Sequence, residues 1–147
     1  MINFIVQRKP HSYNSTDKQK KKAYMNEIVS CYQRRYKSKI MPYLSGKLYG
    51  LVYYFFQENL YLDADNLSKP IWDSLNGVVY TDDSQIITRS ITAINIKESD
   101  ITLIDFTGID GSILADIIDS IYSKEHTLYI ECGVVNNNIW KFNLEDL

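Results

Sequence analysis

The chain has few of the residues that usually carry metal-thiolate or nucleophilic chemistry. Its two cysteines, Cys31 and Cys132, and its two histidines, His11 and His126, stand far apart in the sequence. Their spacing is not that of a zinc site or a disulfide framework, and the sequence has no Gly-x-Ser-x-Gly element. We therefore expect buried free thiols and no covalent catalysis by a side-chain nucleophile.

Long apolar runs, internal repeats and low-complexity tracts are also missing. No stretch approaches the roughly 20 apolar residues needed to cross a bilayer, and the N-terminal MINFIVQRKP lacks a signal-peptide core. The sequence therefore predicts a cytoplasmic protein with no membrane partner. A length of 147 residues fits one domain around a single core, which we expect to span 1–147.

Charge is distributed unevenly along the chain. Residues 1–50 carry 11 Lys and Arg against Asp17 and Glu27, a net charge of +9. The other 97 residues carry 5 basic and 16 acidic side chains, a net charge of −11. A basic arm joined to an acidic body suggests a polyanionic partner held on one face, although a solvated lysine-rich helix explains the same charge equally well.

Apolar periodicity predicts the elements of the first third of the chain. A strand is expected over 2–7, a helix over about 18–40, and a strand buried on both faces over 47–57. The helix has apolar side chains at spacings of three and four, which predict one buried stripe. The members of that stripe are Met25, Ile28, Tyr32 and Tyr36.

In the rest of the chain, segments with the 3.6-residue apolar period of a helix alternate with segments that have the two-residue period of a strand. A helix is predicted over 66–76 with a stop at Asn76-Gly77, then an extended leg to Thr81. A strand over 86–96 follows, TLIDF (102–106) extends it or adds another, and 112–122 is helical. Residues 127–144 read as a hairpin that turns on its asparagines. The predicted fold is α+β, with one mixed sheet packed against helices.

Two pairs of aspartates lie within one short stretch. Asp63 and Asp65 follow a strand, where residues i and i+2 point to the same side, so both carboxylates face one volume. The predicted helix carries the chain away and the extended leg brings it back, so Asp82-Asp83 lands near the first pair. Because adjacent residues on extended chain point apart, only one of this second pair joins directly.

Clustered carboxylates repel one another unless a cation offsets their charge. Oxygen ligands favour Mg²⁺, which Mn²⁺ can replace, whereas zinc needs His or Cys, and the stretch has neither. Lys69 lies one helical turn beyond Asp65 on the side that faces the cluster. Carboxylates, a metal ion and a lysine suit phosphodiester hydrolysis by a metal-activated water. A purely structural explanation makes Asp65 or Asn66 a helix cap, Lys69-Asp73 a surface pair and Asp82-Asp83 a polar loop.

The stretch DADNLSKPIWDSLNGVVYTDDSQI resembles the signature of the RusA-like Holliday junction resolvases, approximately D-x-D-N-x-x-K, then D-x-L, then D-D-x-Q. RKPHSYN upstream is weakly similar to the N-terminal loop of that family. The resemblance covers about 2–97, so about 98–147 would be a C-terminal extension, with an added helix and hairpin. It implies a homodimeric, Mg²⁺-dependent endonuclease that resolves four-way DNA junctions by paired nicks, one strand per subunit.

Carried over by position, the resemblance implies particular roles for particular residues. The catalytic residues would be Asp63, Asp65, Lys69 and Asp83, and the three aspartates among them would hold the metal. The supporting residues would be Asn66, Asp73 and Asp82. For contact with DNA phosphates we expect the basic residues of the first half, namely Arg8, Lys9, Lys18, Lys20, Lys21, Lys22, Arg34 and Arg35.

Two other functions fit parts of the sequence. LYLDAD at the end of a strand also resembles the Asp-x-Asp element of metal-dependent glycosyltransferases. Only 62 residues precede Asp63, which leaves no room for the nucleotide-binding half of such an enzyme. A catalytically inactive DNA- or protein-binding module on the same fold is the third possibility, and it would be expected to have lost Asp65, Lys69 or Asp83.

Overall fold

A single mixed sheet organises the chain. The computed structural model describes residues 1–11, 16–37, 39–58 and 63–136. Its strands are β1 (Ile2–Val6), β2 (Leu48–Phe56), β3 (Ile86–Asn95) and β4 (His126–Val134), and its helices are α1 (Lys18–Tyr36), α2 (Ala64–Ser74) and α3 (Gly111–Ser123). The α+β class predicted from the sequence is confirmed.

The order of strands in the sheet is β1-β4-β2-β3. β2 and β3 are parallel, and α2 lies in the connection between them. β4 runs antiparallel to both β1 and β2, and it is hydrogen-bonded on each side. Although β4 lies beyond the predicted core of 2–97, it occupies the middle of the sheet, so β1 reaches the other strands only through it.

The two faces of the sheet bury different helices. Alternate β2 residues such as Val52 and Tyr54 join one core with α1 and α2, and Phe55 joins a second core with α3. Trp72 of α2 is fully buried and lies over Gly50 of β2. A Cβ atom built at Gly50 would lie 2.6 Å from Cζ2 of that indole, so only glycine allows α2 to sit this close.

α1 differs from its prediction in length and in its buried stripe. The helix ends at Tyr36 instead of near Ile40, whose side chain is fully exposed and has no surface to cover. Its buried residues are Tyr24, Ile28 and Tyr32, and Met25 is only half-buried. Because they are four residues apart, these three side chains lie on one face of α1, which packs against β1 and α2, whereas Met25 is rotated away from that face.

Two segments after α2 also differ from their predictions. The expected extended leg is a tight turn, in which Gly77 has φ +71° and the amides of Val78 and Val79 both donate to Leu75 O. Residues 102–106 form no strand, because Asp100 accepts bonds from Thr102 and caps a short 3-10 turn over Ile101–Leu103. The first strand of the predicted terminal hairpin is β4, and its second strand lies outside the described residues.

The remaining global expectations concern thiols and membranes. Both cysteines are free; Cys132 is buried as expected, and Cys31 is half-buried. None of the helices in the described part of the chain combines the length and apolar character of a membrane span.

Gly50→Ala should destabilise the protein by about 1–3 kcal/mol, because its methyl group would overlap the Trp72 indole. Gly111→Ala is the matched control, since no atom lies within 4 Å of a Cβ there. Urea-denaturation midpoints of the two variants and the parent check this. Equal midpoints for both variants would contradict the packing described.

Candidate active site

The first pair of aspartates lies at the start of α2. Asp63 is the N-cap residue with extended backbone, and Asp65 lies in the first turn. Asp63 makes no capping bond to a backbone amide; its Oδ2 instead accepts a 2.6 Å hydrogen bond from the Asn66 side chain. The two carboxylates are therefore helix-start groups, and they are not placed on one side of a strand as the sequence predicted. Asn66 orients the first of them.

α2 carries an acid-lysine-acid stripe along one side. Asp65, Lys69 and Asp73 are spaced four residues apart, which puts them on one helical face. Lys69 Nζ lies 3.1 Å from Asp73 Oδ1, and both side chains are partly exposed. Asp73 therefore holds the lysine from the C-terminal side. This pair was also the expectation of the purely structural explanation.

Asp82 closes a turn. It is the N-cap of the 3-10 helix Asp83–Gln85, and its Oδ1 accepts a bond from the Ser84 amide. The Gln85 side chain accepts from the Asp82 amide and donates to Gly46 O, which ties the turn to the segment before β2. Hydrogen bonds from Ser84 hold the pKa of Asp82 below its ordinary value. The geometry gives Asp82 a structural role, in keeping with its expected status as a supporting residue.

Asp83 instead faces an arginine. Arg89 Nη2 lies 2.9 Å from Asp83 Oδ2 and also donates to the Asp83 carbonyl at 3.1 Å. About one fifth of the Asp83 side chain is exposed. Arg89 was not among the residues predicted from the sequence, because it lies six residues away in β3 and no motif links it to the aspartate pair.

Tyr80 lies between the end of α2 and the Asp83 turn. Its hydroxyl donates a 2.6 Å bond to Trp72 O and is buried, and this burial, with the nearby Asp83 and Asp73 charges, raises the pKa of the phenol. Asp65 lies about 12 Å from Asp73 along the helix axis, since eight residues separate them.

The predicted carboxylate triad is not gathered within one chain. Among the described residues, the group of three potential ligands whose atoms all lie within 4.8 Å of one another is Glu58, Glu125 and His126. Asp63, Asp65 and Asp83 are all described and do not form such a group. Their oxygen donors fit Mg²⁺ chemically, and Asp83 comes after the tight turn that follows α2, whereas Asp63 and Asp65 lie at the start of that helix.

The predicted DNA-binding side chains are spread over a long surface. Four of them lie in the first five residues of α1 and two near its end, about 25 Å apart. Several contact acidic groups within the protein: Lys9 binds Glu58, Lys20 lies 3.9 Å from Asp17, and Arg34 binds Glu27. One ligand could therefore contact only a part of this set at once.

Helices α1 and α2, strands β2 and β3 and the charged stripe of α2 lie in the range that a known family model matches. The model is described as Endodeoxyribonuclease RusA and matches residues 5–103. This range covers more than half of the chain and includes α2 and the Asp82–Gln85 turn, so the chain belongs to the RusA endodeoxyribonuclease family. α3 and β4 lie beyond the matched range. A search of curated proteins found no match.

The resemblance to RusA-like Holliday junction resolvases seen in the sequence is thus confirmed. Membership of this family implies endonuclease activity on DNA junctions. The roles of individual side chains stay predictions, and so does the division of the chain into a core and an extension.

Asp82→Ala should destabilise the protein near neutral pH, and the difference from the parent should disappear in acid. The folded-state pKa of Asp82 is lowered, so its ionised form stabilises the fold above the ordinary Asp pKa of about 3.9. That contribution is lost as the pH falls through the folded-state pKa. Urea midpoints at about pH 7 and about pH 3 measure it.

Asp82→Asn is the matched control, because asparagine also caps helices but does not titrate. Its midpoint should differ less from that of the parent at neutral pH. A gap between Asp82→Ala and the parent that is equally large at both pH values would show that the carboxylate charge is not what stabilises the turn.

Proposed function

We propose that this chain is a Mg²⁺-dependent, structure-selective DNA endonuclease that resolves four-way junctions by paired nicks. The observation that carries the proposal is the family match, which includes the Asp63-to-Gln85 stretch with all its acidic residues and Lys69. The glycosyltransferase alternative has no support from that match. Mn²⁺ should substitute for Mg²⁺, because both prefer oxygen ligands.

In this proposal Asp63, Asp65 and Asp83 hold the metal ion. When bound, the ion would supply a Lewis acid and lower the pKa of an attacking water. Lys69 offsets negative charge that develops on the phosphate in the transition state. Its 3.1 Å contact with Asp73 keeps the ammonium on the helix face that also carries Asp65. Asn66 acts through Asp63 by holding its Oδ2.

We further propose that the active protein is a homodimer. Asp63, Asp65 and Asp83 do not form a close group of ligand atoms within the described protomer, which supports this arrangement, because a second protomer could bring its Asp83 to the Asp63-Asp65 pair of the first. One active site per strand then accounts for paired nicks. The single domain 1–147 suits this proposal, since β4 from the last part of the chain completes the sheet on which α2 sits.

For the basic residues we propose a phosphate-binding role that is independent of base sequence. The N-terminal turns of α1 carry Lys18, Lys20 and Lys22, whose side chains are exposed. Neutralised phosphates release counterions, so affinity for junctions should fall steeply with salt. Arg8, Lys9, Lys21, Arg34 and Arg35 complete the proposed set.

Asp65→Asn should abolish cleavage of a synthetic four-way junction in Mg²⁺ while leaving junction binding intact. The parent should cut the junction in preference to linear duplex of the same sequence. Asp105→Asn is the matched control. Asp105 is an exposed aspartate that lies outside the family match and accepts a hydrogen bond from the Thr107 amide. Cleavage is followed on a denaturing gel and binding by mobility shift in Ca²⁺.

Two results would overturn parts of this proposal. If the parent binds junctions but cuts no branched DNA in Mg²⁺ or Mn²⁺, the chain is a binding module. If Asp65→Asn still cuts, the active site lies elsewhere in the chain.

Mixing Asp65→Asn with Asp83→Asn protein should restore nicking if the carboxylates of two protomers meet. In a mixed dimer, one composite site combines the wild-type Asp65 of the Asp83→Asn protomer with the wild-type Asp83 of the Asp65→Asn protomer. The other composite site carries both substitutions. The two inactive proteins are denatured together, refolded and assayed on a junction labelled on one strand. A mixture as inactive as either variant alone would mean that all three aspartates act within one protomer.

A further inference from the structure

A second group of potential metal ligands lies at the opposite end of β2 from the Asp83 turn. Glu58 follows β2, and His126 opens β4 directly beside it, since Phe56 pairs with His126 in the sheet. Glu125 precedes that histidine. One oxygen of each carboxylate and one ring nitrogen of the histidine all lie within 4.8 Å of one another. Backbone pairing of two strands therefore fixes the spacing of these side chains.

His126 is held in an orientation suited to a ligand. Its Nδ1 lies 2.6 Å from the hydroxyl of Tyr54, and the two rings stack at 6.0 Å with an interplanar angle of 16°. Tyr54 is fully buried, so the ring has little freedom to turn. When Nδ1–H donates to the Tyr54 oxygen, Nε2 carries the lone pair and faces Glu58, whose Oε1 lies 3.3 Å away. Metal-bound histidines are commonly fixed in this way by a hydrogen bond from the other ring nitrogen.

A buried hydroxyl in the same core as Tyr54 has no hydrogen-bond partner. Tyr24 of α1 is 1% exposed, and its hydroxyl makes no hydrogen bond in the described part of the chain. Buried hydroxyls are usually paired with protein groups or with ordered water.

The contact of Glu58 with Lys9 leaves one of its carboxylate oxygens available to a cation. Lys9 binds Oε2 of Glu58 at 3.2 Å, while Oε1 faces His126. Lys9 lowers the pKa of Glu58, which stays ionised. Lys9 can keep its contact with one oxygen while the other binds an ion. Glu125 adds a further carboxylate that is exposed to solvent.

We propose that Glu58, Glu125 and His126 form a binding site for a divalent transition-metal ion, with Zn²⁺ as the best fit. One imidazole nitrogen and two carboxylate oxygens leave a fourth position for water, which is the arrangement of an open tetrahedral zinc site. Mg²⁺ and Ca²⁺ prefer all-oxygen ligand sets, so the histidine selects against them. This site shares no residue with the proposed nuclease site.

A bound ion here would join the end of β2 to the start of β4. Glu58 lies five residues before Asp63, so the ion would also fix one end of the connection that leads to α2. We therefore expect Zn²⁺ to raise the melting temperature of the protein, because an ion that binds only the folded state stabilises it.

Isothermal titration calorimetry with Zn²⁺ tests the proposal. The protein is the full-length Asp65→Asn variant, from which bound metal has been removed with a chelator. We expect one Zn²⁺ per chain. Adding Glu125→Gln or Glu58→Gln should weaken binding by about tenfold or more. Glu125 is exposed, so its substitution should not impair folding. Glu98→Gln, another exposed glutamate, is the control and should bind as the parent does.

Cobalt gives a second readout that is independent of nuclease activity. Co²⁺ bound by the histidine and carboxylates should show visible d–d absorption that is lost in His126→Gln. Either of two results would overturn the proposal: no Zn²⁺ binding by the Asp65→Asn protein, or affinity unchanged in both Glu58→Gln and Glu125→Gln. The zinc measurements use the Asp65→Asn variant and record metal binding alone, so neither result depends on whether the chain cleaves DNA.

Discussion

The placement of the charged residues that α2 carries depends on the contact between Trp72 and Gly50. The indole lies directly on the β2 backbone, where no side chain intervenes, and this contact fixes the height of α2 above the sheet. The Trp72 carbonyl also accepts the Tyr80 hydroxyl, which secures the turn that follows the helix. Asp65, Lys69 and Asp73 are therefore carried by a helix that has little freedom to slide or rotate.

The acidic residues of the candidate active site fall into two groups. Asp63 and Asp65 belong to the start of α2, and Asp83 belongs to a turn pinned at the other end by Asp82, Gln85 and Arg89. Asp63, Asp65 and Asp83 do not form a group of ligand atoms within 4.8 Å of one another in the described structure, so the fold assigns them to two different local environments.

Local patterns predicted most of the elements. The apolar run of β2, the helical spacing of α3 and the turn signal at Gly77 are patterns within a few residues, and each marked an element or turn that the structure contains. The return leg after Gly77 was wrong because Val78-Val79-Tyr80 has the apolar character of a strand, while the positive φ of Gly77 turns the chain back on itself. Glu58 beside His126 arises from the pairing of two strands that are distant in sequence, and Arg89 reaches Asp83 across a turn that no motif marks.

The central position of β4 has a consequence for the order in which the protein folds. β1 lies far before its sheet partner β4 in the chain, with Ile2 opposite Cys132. Until β4 is in place, β1 lacks the ladder that joins it to the other described strands, and β2 presents an open edge on the side that β4 later fills. Closure over such a long sequence separation is slow and leaves hydrophobic surface exposed in the meantime.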